Sequence, residues 1–427
     1  MAKHLRWLRL DNAAKIYPAN RRNNWSNVFR LSVTLTEPVD EAVLQSALDV
    51  TALRFPSICA RLRKGLFWYY LQQLEQAPQI RSEKCYPMVH MSRKEIRQCA
   101  IRVIVYKNRI ALELFHALTD GTGAMIFLKS LLAEYLLQKY GTQVPAEKGI
   151  LDRQEEPSEE ELEDSFLKNG GAVNAPRGGS DAWHVSGTRE PDGFLHQTCM
   201  EIPTKILLEK AHAYDVTVTG FLASVMIMAM QNLQAKQVPE VRHRKSIKVM
   251  LPVNLRPLFS SKTLRNFVMY TTPEIRPRLG HYEFSEICKQ VKHRMGLDIN
   301  PKHMSTLIAT NIGSEKVLAV RLVPLFIKNF IMKMVFKSVG ERKSSITLSN
   351  MGRVELPEIM ESYVNRFDFV LGVQSSAPNN CGVLSWGDTT YVNFIRYIRE
   401  SSLEQSFYEV LRDLEIPVTV GSNGGDR

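Results

Sequence analysis

The sequence predicts an α/β (α+β) protein built as two halves, each a mixed sheet with helices. Three observations carry this. Strand-like and helix-like segments alternate along both halves of the chain. The length, 427 residues, suits two domains or two fused subdomains at roughly 100–200 residues each. A seam divides the chain: an acidic run over 152–164 leads into the turn-rich stretch Asn169–Ser180, which holds four glycines. The expected division is an N-terminal subdomain over 1–150, a crossover linker over 151–190 and a C-terminal subdomain over 191–427.

In the first half, Val28–Leu35 is rich in β-branched and apolar residues and predicts a strand. Asp40 is placed to cap a helix running to about Leu53, with Val43, Leu44, Ala47 and Leu48 on one face. Leu66–Leu71 is aromatic and strand-like. Ile101–Tyr106 and Arg109–Phe115 flank Lys107-Asn108 and predict a two-residue hairpin. From Thr122 to Lys139 an apolar stripe including Met125, Leu128, Leu132 and Tyr135 predicts an amphipathic helix closed by Gly141. In the second half, helices are expected at 204–214, 219–235, 283–296 and 401–414. Strands are expected at 195–201, 246–252, 267–275, 344–349, 367–373, 381–386 and 390–397.

Composition excludes disorder, collagen and coiled coil: 44% of residues are apolar and 23% charged, as in a globular protein. The six cysteines form no CxxC pair and no repeated spacing, which argues against a zinc site or disulfide framework. The N-terminus has basic residues and no apolar h-region, so a cytoplasmic location is expected. Net charge is +11, but 152–164 holds eight acids and one base, leaving 54 bases against 36 acids elsewhere, or +18. That basic body suggests an anionic partner. No nucleic-acid-binding motif accompanies the charge, and the ten histidines lack metal-ligand spacing, so neither nucleic acid nor metal is expected. Residues 317–339 contain 16 apolar residues of 23 but are broken by four bases and Pro324. Such a segment would span a membrane only at high cost. Two core-packing helices kinked near Pro324 are expected, with a peripheral membrane contact as the alternative.

The sharpest chemical signal is Phe115-His-Ala-Leu-Thr-Asp-Gly121, between a clear strand and a clear helix. A strand end presents His116 at a sheet edge, where a cleft can form. An imidazole with an ordinary pKa near ~6.5 can take a proton from a hydroxyl or amine at neutral pH. Asp120, about one turn on, is better placed to brace the loop than to touch substrate. Gly121 suits a tight turn into the helix.

This HxxxDG stretch resembles the acyl-CoA- or carrier-dependent acyltransferase superfamily, which includes chloramphenicol acetyltransferase, nonribosomal condensation domains and alcohol acetyltransferases. Weaker similarities lie in Leu251-Pro-Val-Asn-Leu-Arg256, Asn266-Phe-Val268 and Ser349-Asn-Met-Gly352. Arg9–Pro18 and Gly65–Tyr70 resemble bacterial alcohol acetyltransferase-like proteins. Phe115 stands where condensation domains usually have a first histidine, which tilts the resemblance towards stand-alone O-acyltransferases. The plant-type "DFGWG" stretch is absent, with Ser385-Trp-Gly-Asp388 at most a distant similarity.

The resemblance implies two chloramphenicol-acetyltransferase-like subdomains with an active-site tunnel between them. It implies His116 as general base and an Asp120–Arg256 structural ion pair. The implied donor is an acyl-CoA or acyl carrier protein thioester, the acceptor a small alcohol or amine, with no permanently bound cofactor. Asn350, Ser349 and Thr272 are candidates for stabilising the tetrahedral oxyanion. Arg242, Arg244, Lys245 and Lys248 form the densest basic cluster and are candidates for donor phosphates or an acidic carrier. The acidic linker is expected to cross the surface, because its carboxylates cannot be buried unpaired. The alternative function is a catalytically silent, condensation-like protein that recruits a carrier or partner.

Overall fold

The computed structural model describes residues 6–19, 27–83, 86–171, 173, 179–191, 193–316, 322–335, 341–374 and 377–423. Cys85, Arg321 and Lys337 lie outside them.

Sixteen strands form three sheets among the described residues. In the first half these are β1 (Trp7–Arg9), β2 (Val28–Leu35), β3 (Ala60–Lys64), β4 (Tyr69–Gln73), β5 (Arg81–Ser82), β6 (Ile101–Tyr106) and β7 (Arg109–Phe115). The second half supplies β8 (His196–Pro203), β9 (Ile247–Asn254), β10 (Val268–Thr271), β11 (Glu274–Ile275) and β12 (Ile346–Arg353). It continues with β13 (Val364–Val370), β14 (Asn379–Trp386), β15 (Thr389–Arg396) and β16 (Thr419–Ser422). One sheet has the order β13-β2-β7-β6-β5, and a small one β1-β4-β3. The large sheet runs β10-β9-β12-β14-β15-β8-β16, with β11 also on β9.

The predicted hairpin is β6–β7, whose turn residue Lys107 has φ 52°. Asp40 caps the helix Glu41–Arg54 by accepting from the amides of Ala42 and Val43. The helix Gly121–Tyr140 ends at Gly141 in the left-handed region, φ 70°, which spares a side chain the strain of that conformation. The predicted strand 66–71 is shifted: Leu66 and Phe67 occupy the turn between β3 and β4, and pairing resumes at Tyr69. The expected strand 267–275 is two strands, β10 and β11, both on β9.

β13 crosses from the second half to pair antiparallel with β2, so the sheets do not divide at residue 190. One apolar core accordingly combines Leu31, Leu112 and Phe127 with Phe367, Leu384 and Ile395. A second core lies under the large sheet around the helix Val218–Gln237. That helix is the one described segment long and apolar enough to cross a membrane, and most of it is buried in this core. A third, smaller cluster joins Phe166 of the acidic linker to Phe267, Met304 and Ile308.

Candidate active site

His116 follows the last residue of β7, and its amide donates to the Asn27 carbonyl at 2.8 Å. Phe115 is fully buried, and His116 opens the turn that follows it. The imidazole stacks on Tyr17, with ring centroids 4.5 Å apart and planes at 18°. Phe29 of β2 closes another side at 4.9 Å. Nδ1 of His116 lies 3.1 Å from Oδ1 of Asn266. The Asn266 amide nitrogen donates to Oδ2 of Asp11 at 3.2 Å and to the His116 carbonyl at 3.1 Å. With its NH₂ committed there, Asn266 turns its oxygen to His116, so Nδ1 carries the hydrogen. Nε2 is left with its lone pair. Burial pushes the imidazole pKa below its ordinary value, against the smaller opposing pull of Asp120 and Asp11. The result is a neutral ring with one basic nitrogen.

Asp120 is turned away from this chemistry. Its carboxylate accepts two bonds from Arg256, at 2.9 and 3.1 Å, one from the Gly123 amide at 3.1 Å and one from the Phe267 amide at 2.9 Å. Arg256 spends its remaining donors on the carbonyls of Thr263 and Arg265 and on Oδ1 of Asn254. Both side chains are buried, at 2% and 9% exposure, and both are satisfied. The pair clamps the end of β7 to the segment 254–267, which carries Asn266.

The glycine that this clamp requires is Gly123. A Cβ there would stand 2.3 Å from the Leu264 carbonyl oxygen and 2.2 Å from Oγ1 of Thr119. Gly121, expected to serve a tight turn, has no positive φ, and a Cβ would be tight only against the flexible Met351 sulfur at 3.3 Å, with the Met351 methyl and Phe369 ring at ordinary contact distance.

The acidic linker fastens the same segment. Leu264 N donates to the Glu161 carbonyl at 2.8 Å, Thr263 Oγ1 to the Glu163 carbonyl at 2.8 Å, and Arg265 to the Leu162 carbonyl at 3.2 Å. Glu161 takes a bidentate contact from buried Arg54 at 2.6 and 2.8 Å. Asp152, Glu155, Glu156, Glu159 and Glu160 stay exposed. Leu162 and Phe166 are buried, so the linker is a docked strap rather than a simple surface crossing.

β9 and β12 pair only at Val249–Ile346 and Met250–Thr347. Beyond that, β9 keeps β10 and β12 keeps β14, so the large sheet opens between them. The strand ends beside this opening reach the loop after His116: Asn254 bonds Arg256 of the Arg256–Asp120 pair, and Met351 lies next to Gly121. Ser349 and Asn350 line β12 at this opening, with Asn350 donating to Oγ1 of Thr219 at 3.0 Å and accepting from the Gly352 amide at 2.8 Å.

Thr272 is not brought to the site. It lies past the far end of β10, six residues from Asn266, or about 20 Å at the usual rise of a strand. The basic cluster also needs correction. Lys248 is buried, ion-paired with Glu274 at 2.8 Å and bonded to the Ser180 carbonyl. Arg244 donates to the carbonyls of Val238 and Pro239, and Arg242 pairs with Glu240. Only Lys245 of the four is exposed with no such bond among those described.

Asp11, Tyr17, Asn27 and Phe29 were not legible as site residues. Asp11 and Tyr17 sit in Arg9–Pro18, where they show no spacing that points to chemistry. Burial raises the Asp11 carboxyl above its usual range, with Arg265 pulling the other way. No group of His, Cys, Asp and Glu among the described residues could hold a metal ion.

No family model matches the sequence, and no curated protein sequence does. Solved structures do match. TRI101 of F. sporotrichioides, solved with coenzyme A and T-2, superposes with a TM-score of 0.64 at 11% identity, over 97% of this chain and 99% of that one. The first condensation domain of the calcium-dependent antibiotic synthetase gives 0.62 at 13% identity, over 96% and 95% of the two chains. This is the chloramphenicol acetyltransferase-like fold. Polyketide synthase associated protein 5 of Mycobacterium tuberculosis shares it, with a TM-score of 0.61 at 12% identity, over 94% of this chain and 96% of that one. In this fold acetyltransferases and condensation domains share a two-subdomain, mixed α/β architecture, as the sequence predicted.

Proposed function

We propose that the chain is an acyltransferase that moves an acyl group from a CoA or carrier-protein thioester to an alcohol, or to an amine. The observation that carries this is the His116 ring, held through Nδ1 by Asn266 so that Nε2 is left as the basic nitrogen. The fold supports it: similar structures include the acetyltransferases TRI101 and TRI3.

In the proposed reaction, Nε2 takes the proton of the acceptor O–H as the oxygen attacks the thioester carbonyl carbon. The C=O electrons move onto oxygen. Ser349 and Asn350 at the opening are the groups proposed to meet that oxyanion. Collapse re-forms the carbonyl and breaks the C–S bond, and the leaving thiolate takes the proton back from Nε2. The products are an ester and a free thiol. Asp120 and Arg256 act by position, holding the two segments that carry His116 and Asn266. The donor and acceptor are proposed to reach His116 from opposite sides of the subdomain boundary. The free cysteines suit the reducing cytoplasm that is part of this proposal.

The test is thiol release from acetyl-CoA, longer acyl-CoAs and an acyl carrier thioester, each with a panel of alcohols and amines. Acceptor-dependent release supports acyl transfer. Binding of a carrier with no release from any donor would favour the silent recruiting protein instead.

A further inference from the structure

The helix Leu325–Val335 is inside out. Beside buried Leu325, its inward residues are polar: Lys328 is buried, donates to the Phe67 carbonyl and stands 3.6 Å over the Trp68 ring, and Asn329 donates to the Tyr69 hydroxyl at 2.9 Å. Apart from Lys333, its exposed residues are apolar. Phe326, Phe330 and Met334 recur every four positions, with Ile331 beside them and exposed Leu322 just before the helix, and Phe326 and Phe330 are 69% and 66% exposed. Leu66, 73% exposed, extends the patch, because its carbonyl accepts from the Leu325 amide. Of the 21 exposed large apolar residues described, six fall between 322 and 334. This overturns the expected core-packing helix: the apolar face is turned to the outside.

We propose that this face docks on the surface of an anionic lipid bilayer. Three features favour a bilayer. Neither 54–74 nor 316–340 contains an acidic residue, while Lys64 and Lys333 are exposed beside the patch, which complements anionic headgroups. The same charge opposes a second copy, since two such faces would set lysine against lysine. The stripe itself offers no hydrogen-bonding side chain, whereas a protein interface carries about one hydrogen bond per 100–200 Å². An eleven-residue helix is only about 16 Å long, too short to span, so it lies in the interface with its apolar side chains inserted. It also packs on the short helix Ile16–Ala19, whose Tyr17 stacks on His116. Docking sets that side of the site against the bilayer.

The test is flotation of the full chain with phosphatidylcholine vesicles, with and without 30% phosphatidylglycerol. Binding is expected to the anionic vesicles and to weaken in high salt. Phe326→Ser with Phe330→Ser should lower the bound fraction at least about tenfold, and Lys64→Glu with Lys333→Glu should lower it on anionic vesicles only. All four positions are exposed or at the surface, so the melting temperature should not fall, which separates lost docking from lost folding. The proposal is overturned if the parent chain floats with neither vesicle, or if the serine variant floats as well as the parent. It is also overturned if the serine changes abolish only self-association or capture of an acidic carrier protein.

Discussion

Asp120→Asn isolates the clamp that the site depends on. The asparagine keeps one oxygen for the Gly123 or Phe267 amide, but it turns an NH₂ toward Arg256 and removes the countercharge. The guanidinium then remains buried with only the carbonyls of Thr263 and Arg265 and the Asn254 amide oxygen. Leaving one member of a buried pair uncompensated costs about 3–5 kcal/mol. Arg256→Met leaves the opposite residue better served, because the Asp120 carboxylate keeps two backbone amides. It should cost less, roughly 2–3 kcal/mol. The double variant holds no uncompensated charge and should recover about 2 kcal/mol relative to the sum of the singles. The assay is urea unfolding followed by circular dichroism and tryptophan fluorescence for parent, singles and double. Additivity within about 0.5 kcal/mol would refute the coupling, as would an Asp120→Asn variant as stable as the parent.

Three further outcomes follow from the same geometry. Gly123→Ala should destabilise by about 1–3 kcal/mol, because the new methyl meets a backbone carbonyl, while Gly121→Ala should melt near the parent; equal melting temperatures would contradict this. Asn266→Ala should lower kcat about tenfold, the equivalent of one hydrogen bond of roughly 1–1.5 kcal/mol, with KM little changed, and an unchanged kcat would remove its positioning role. Because burial lowers the His116 pKa, the neutral base persists to lower pH than a free imidazole: kcat/KM should stay level down through neutrality and fall only below the ordinary 6.5. A limb centred at or above that value would contradict the burial argument.

Local physics made much of the fold legible. Asp40, Lys107-Asn108 and Gly141 act within a few residues of themselves, and the elements they bound lie where expected. Long-range pairing was not legible. Nothing in Val364–Val370 marks it as a partner for β2 rather than for the neighbouring β14. Exposed β16 has no apolar alternation to announce it. At the site, His116 and Asp120 stood out because four residues of spacing lay between a strand and a helix. Asp11 and Tyr17 act only once the chain end folds back, and Asn266 stood out as a resemblance without a role. Lys248 misled because a dense basic run looks the same in sequence whether its members face solvent or, like Lys248, are buried against a half-buried carboxylate.

Turnover of His116→Ala bears most directly on the central claim. With the best donor and acceptor from the panel, acceptor-dependent thiol release should fall by about 10²–10⁴ relative to the parent chain, with unchanged circular dichroism and melting temperature. Release within a few fold of the parent would contradict the assignment of His116 as the base and, with it, the mechanism built on the Asn266-fixed imidazole.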